Sequence, residues 1–111
     1  MTGKWTRWKL FPIPAEIRLI DAPTGIGVYQ LRHKSTRQLV LFGIGNETQK
    51  RMRSLVPKPF GSGTRNNAKK REYVLKHFSD LEFRTCECDC RADAIVIETT
   101  LRTSRAYMFN T

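Results

Sequence analysis

Two runs of strand-forming residues, Ile26 to Arg32 and Arg37 to Gly43, are separated by only four polar residues, His33 to Thr36. A link that short makes an antiparallel hairpin, because a parallel pair needs a crossover of a dozen or more residues. In the first run Ile26, Val28 and Gln30 alternate with Gly27, Tyr29 and Leu31, the two-residue period of a strand. The second is an apolar run rich in Leu, Val and Phe, suited to burial on both faces. Whatever follows the hairpin has to cover it.

Asn46, with Gln49 three residues on, resembles a capping box, and Thr48, Met52, Leu55 and Val56 then share one face at helical spacing. The pattern predicts a first helix to about Val56, stopped by Pro57 and Pro59. Gly61-Ser62-Gly63 prolongs the break, and Asn66 or Asn67 caps a second helix over about Ala68 to Phe78. Its apolar face is Val74, Leu75 and Phe78 with Tyr73 at the edge, leaving Lys69, Lys70, Arg71 and Lys76 on a solvated surface. Leu81 to Cys88 alternates as a third strand, Asp89 opens a last helix through about Arg102, and Tyr107 to Phe109 can pack back on the sheet. The order β-β-α-α-β-α describes an α+β domain, a three-stranded antiparallel sheet flanked by helices. It is expected to span residues 25–111. Residues 1–24 are expected to form an extended arm packed by its aromatics, since Pro12 and Pro14 prevent a helix across Lys4 to Pro14.

The 20 Lys and Arg against 10 Asp and Glu give a net charge of +10, which points to a polyanionic partner, nucleic acid first. Up to Ser79 there are 16 basic and 4 acidic residues; from Asp80 onward acids outnumber bases, so the partner-facing surface should come from the first two thirds. No apolar run approaches the roughly 18 residues of a membrane span, and no apolar stretch near the N-terminus leads to a cleavage site, so the expected compartment is the cytoplasm. Cys86, Cys88 and Cys90 are too tightly clustered to staple distant parts of a fold, and their alternate spacing is not that of a structural zinc site. His77 has no Cys or His partner at ligand spacing and reads as a packing or surface residue.

One acid is out of place. In the last helix Ala94, Ile97 and Leu101 share a face, and Glu98 projects inside that apolar arc. A buried carboxylate costs several kcal/mol unless compensated. Glu98 therefore belongs to a salt bridge, to a rim position reaching solvent, or to a bound metal.

Gly27-Val28-Tyr29 on the first strand and Gly43-Ile44-Gly45 closing the second, with a helix directly after, resemble the paired motifs of the GIY-YIG nuclease family. The resemblance extends to Arg53, eight residues beyond Gly45, to the Ala94 to Glu98 step on a later helix, and to Asn110. It covers the chain from Gly25 onward. Two positions depart from the pattern: Gly43 stands where the second motif has a tyrosine, and Pro57 where many members keep a His or Tyr.

The resemblance implies a metal-dependent DNA endonuclease that hydrolyses phosphodiester bonds. Tyr29 would orient or deprotonate the attacking water, for which a phenol with an ordinary pKa near about 10 needs cationic neighbours such as Arg53 or a lysine. Arg53 would clamp the scissile phosphate, and Glu98 would hold one divalent cation, Mg2+ or Mn2+. Asn110, Gly43 and Gly45 would support the site, with His33 and Lys34 as substitutes for the missing tyrosine. Candidate nucleic-acid contacts are Arg51, Lys58 and Arg65 around the break between helices and the cluster Lys69, Lys70 and Arg71. The expected partner is duplex or branched DNA rather than RNA or a membrane. The alternatives are a nucleic-acid-binding domain of the same fold that has lost turnover, and a small basic protein of an RNA assembly.

Overall fold

The computed structural model describes residues 3–56 and 68–110. Strand β1 (Lys9–Leu10) and a 3-10 helix (Pro14–Leu19) precede the hairpin of β2 (Gly27–His33) and β3 (Leu39–Gly45). Helix α1 (Thr48–Arg53), helix α2 (Ala68–His77) and a second 3-10 turn (Phe78–Asp80) lead to β4 (Leu81–Glu87) and α3 (Arg91–Ser104). The fold is α+β, with one antiparallel sheet in the order β1-β4-β2-β3.

The sheet has four strands rather than three, because the N-terminal arm contributes β1: Lys9 and Leu10 pair with Phe83 and Glu82 on the outer edge of β4. An edge position suits a segment followed by Pro12, whose missing N–H no neighbour requires. Pro14 begins the 3-10 helix, where its fixed φ is already helical. The arm is fastened further by its indoles. The Arg84 guanidinium lies between Trp5 and Trp8, 4.8 and 4.7 Å from the ring centroids, and Arg32 covers Trp8 at 4.1 Å.

The strand period divides the core in two. Tyr29 and Leu31 of β2, with Leu81 and Phe83 of β4, bury one face against Met52, Leu55 and Val56 around α1, Val74 of α2 and Ile17 of the 3-10 helix. The other face carries Val28 and Cys88, packed against Ala94, Ile97 and Leu101 of α3. Burying each of these aliphatic side chains contributes about 1.5–3 kcal/mol.

Several elements differ from the sequence pattern. Helix α1 ends at Arg53 and has no side-chain cap; Asn46 instead accepts a hydrogen bond from Arg91 Nη1 at 3.0 Å, so a tertiary contact takes the oxygen that a capping box would use. Leu75 is exposed, whereas Arg71, expected on the solvated face of α2, is buried and Lys70 is half-buried. Helix α3 starts and ends two residues later than expected. Tyr107 to Phe109 do return to the sheet: the Phe109 N–H donates to the Val40 carbonyl at 2.8 Å along the outer edge of β3. Among the described residues the three cysteines form no disulfide, and Cys86 and Cys88 are buried.

Candidate active site

Tyr29 stands on the central strand β2 opposite Gly43 of the edge strand β3. Its ring lies directly over that glycine, where a Cβ would come within 2.8 Å of Tyr29 Cε1. The space that a side chain at position 43 would occupy is thus filled by the Tyr29 ring. Gly43 works here through close approach, and a side chain at that position would collide with the ring.

A cavity of about 790 Å³ opens at this point and wraps around β3 from one face of the sheet to the other. From the Tyr29 side it receives Arg51 and Ser54 after the strand, and Lys70 and Arg71 from α2. From the opposite side α3 contributes Arg91, Ile95 and Glu98. Gly45 keeps the corner tight, since a Cβ there would meet Arg51 Cβ at 3.0 Å. Four cations and one carboxylate face a common space.

Burial pushes the Tyr29 phenol above its ordinary value; the Arg51 guanidinium, which donates a hydrogen bond to it, pulls the other way, and Glu98 adds to the rise. Tyr29 is therefore a neutral hydroxyl at neutral pH, and the lowering that a phenolate base requires is not what this environment produces. Lys70 is shifted downward, by burial first and then by Arg51 and Arg102, against the pull of Glu98. Glu98 Oε1 lies 3.3 Å from Arg102 Nη2, and the glutamate side chain is 20% exposed. The salt bridge considered for the misplaced acid is present, and the acid also borders the cavity.

The cavity brings together Tyr29, Gly43, Gly45, Arg51, Lys70, Arg71 and Glu98 of the residues singled out from sequence. It does not include Arg53. Residues two apart on a helix point about 200° from each other, so with Arg51 turned into the cavity Arg53 faces the arm. There its Nη2 donates to Gln49 Oε1 at 3.0 Å and toward the Arg18 carbonyl at 3.4 Å. Asn110 is also outside, donating to the Arg102 carbonyl at 2.8 Å near the end of α3. His33 is held between Asp80 at 2.9 Å and the Tyr73 hydroxyl at 2.5 Å, and the Lys34 N–H donates to the Asp80 carbonyl, so the hairpin end serves as a polar tie to the second 3-10 turn. Lys69 is exposed beside Glu72, Tyr73 and Lys76. His77 packs against the rings of Tyr73 and His33. Lys58, Arg65 and Pro57 lie outside the described residues.

Ser54, Arg91 and Ile95 were not anticipated. For α3 the signal was present: Arg91, Ile95, Glu98 and Arg102 recur at i, i+4, i+7 and i+11, one stripe of a helix.

Among the described residues no three His, Cys, Asp or Glu side chains come together to hold a metal. The donors that do face the cavity, the Glu98 carboxylate and the Tyr29 and Ser54 hydroxyls, are all hard oxygens. Their chemistry would suit a hard, hydrated divalent cation such as magnesium or manganese, with Glu98 the one charged ligand, rather than a softer metal. No family model matches the chain, and no curated protein or solved structure is significantly similar to it. Among the described residues no helix is long and apolar enough to cross a membrane.

Proposed function

We propose that this chain is a metal-dependent endonuclease of the GIY-YIG type acting on DNA. The observation that carries the reading is the convergence of Tyr29, Arg51 and Glu98 on one cavity ringed by Lys70, Arg71 and Arg91. A pocket with four cations and a single acid takes a phosphate in preference to a neutral or cationic substrate.

In this reading the planar Arg51 guanidinium binds two oxygens of the scissile phosphate and stabilises the charge that grows on them. Tyr29, kept neutral and fixed over Gly43, orients the attacking water through its hydroxyl rather than acting as a phenolate. Lys70, whose ammonium is weakened by burial, gives a proton to the leaving oxygen as the P–O bond breaks. Arg91, held by Asn46, binds a neighbouring phosphate and sets the register of the strand. Glu98 would hold the divalent ion, which supplies phosphate neutralisation and a more acidic water.

The second reading, a domain that binds nucleic acid without cutting it, is favoured by the Glu98–Arg102 ion pair and by the single hydroxyl that Gly43 permits. Incubation of supercoiled DNA with the protein, with magnesium and with chelator, decides between them. Nicking that needs magnesium and disappears in Glu98→Gln is expected; retention of DNA with no nicking by the parent overturns the enzymatic reading.

A further inference from the structure

Among the described residues Glu98 is the only acid lining the cavity, and its charge is already spoken for. Arg102 lies one turn along α3 with Nη2 3.3 Å from Glu98 Oε1; its guanidinium carbon is 5.9 Å from the ring of Phe42, which lines the cavity, while Arg102 itself stands behind Glu98 outside the lining. Lys70 also feels the Glu98 charge across the pocket. A dication approaching the resting protein thus meets a neutralised carboxylate inside a ring of like charges. A phosphodiester alters both conditions. It offsets the cations, and it offers Arg102 a bidentate partner better than one carboxylate oxygen. The Arg102 side chain is 48% exposed, and an i, i+4 pair of this kind is weak enough to give way.

From this arrangement we infer that Arg102 is an internal counter-ion that weakens divalent-metal binding at Glu98 until nucleic acid binds, so that metal entry and substrate binding are coupled. Arg102 is a positioning residue acting through Glu98, and the inference rests on the proposal that Glu98 is the metal ligand. The order of events is nucleic acid first, transfer of Arg102 from Glu98 to a backbone phosphate second, and metal third. Loading with magnesium before nucleic acid is weakened by the several-fold factor that such a pair supplies.

Manganese binding to the full chain, followed by the loss of the free-ion electron paramagnetic resonance signal, tests the coupling without reference to cleavage. The measurement is made on the parent, Arg102→Met, Arg102→Lys and Glu98→Gln, each with and without a phosphorothioate duplex that resists hydrolysis, and the duplex alone is subtracted. Arg102→Met, which keeps the stem and loses the charge, should bind manganese roughly three- to tenfold tighter than the parent when no duplex is present, the range expected for removing one competing ion pair and one like charge. Arg102→Lys should resemble the parent. Duplex should tighten binding to the parent by more than it tightens binding to Arg102→Met, and Glu98→Gln should lose the protein-dependent binding. If Arg102→Met binds no tighter while binding in the complex still requires Glu98, the gate is refuted and the metal site stands. If Glu98→Gln binds manganese as the parent does, the assignment of the metal to Glu98 fails and the gate falls with it.

Discussion

Gly43→Ala adds one methyl group, and the structure says where it goes. The new Cβ would lie 2.5 Å from Tyr29 Cζ and 2.8 Å from Cε1, against an optimal carbon separation of about 3.5–4.0 Å, so the overlap is about 1 Å. Neither side yields easily: the Tyr29 ring is buried in the core, and β3 is tied to β2 on one edge and to Phe109 on the other. Overpacking of this size costs about 1–3 kcal/mol, and in a domain of this length each kcal/mol lowers the melting temperature by roughly 4–8 °C. Tyr29→Leu deletes Cε1, Cζ and Oη, the three atoms the Cβ would meet. In that background Gly43→Ala should cost almost nothing. Urea denaturation of the parent, both single variants and the double variant closes the cycle, with an expected coupling of about 1–3 kcal/mol. The close-approach argument is refuted if Gly43→Ala is as stable as the parent, or if its cost is the same whether residue 29 is Tyr or Leu. The same argument predicts that Gly43→Tyr will not restore a second hydroxyl and will destabilise more than Gly43→Ala.

Exchanging the planar fork for an ammonium as Arg51→Lys should lose most cleavage, on the order of 10²-fold or more, whereas Arg53→Lys should leave the rate within a few fold; equal losses in a nicking assay would mean that the helix face has been misassigned. Tyr29→Phe should slow cleavage by on the order of 10² to 10⁴ without loss of fold, and an unchanged rate would remove Tyr29 from the water. Replacing Lys70 and Arg71 together should flatten the salt dependence of DNA binding by close to two contacts, with a log–log slope near −0.9 for each on duplex; an unchanged slope in fluorescence anisotropy would show that the cavity does not meet phosphate. All three tyrosines are shifted upward, chiefly by burial. The folded state therefore favours the neutral phenols: their contribution is complete below the ordinary value near about 10 and is lost as pH rises above it. Absorbance at alkaline pH should show phenolate appearing together with unfolding, and independent titration near pH 10 in the intact fold would contradict the burial.

The hairpin, the helix pair, the third long strand and the last helix were legible in the sequence because each is encoded by local periodicity and by Pro and Gly punctuation. Strand β1 was not, since two residues beside a proline carry no period and become a strand only because β4 has a vacant edge. In the site, Tyr29 and Glu98 were readable, one from its motif and one from polarity on an apolar stripe. Which arginine borders the cavity was not legible: a fixed count from Gly45 leads to Arg53 but ignores helical phase, and α1 begins where Thr48 meets the Gly25 carbonyl at 2.8 Å rather than at the Asn46 cap, which turns Arg51 toward the cavity. Burial of Arg71 could not be read from α2, whose sequence marks it as solvated; the wall it faces is supplied by strands and helices remote in the chain.

The sandwich of Trp5, Arg84, Trp8 and Arg32 has a consequence for how this protein can be watched. Its two tryptophans both belong to the arm and both lie under guanidinium groups of the sheet. Intrinsic emission is therefore a local gauge, tuned to whether Trp5 to Leu10 are seated against Arg84 of β4 and Arg32 of β2, and is nearly blind to α2 and the cavity. A melt followed at the indole band and one followed by helical ellipticity measure two different events. They coincide only if the arm leaves at the moment the core does, and an earlier indole transition would identify the arm as a separately releasable strap.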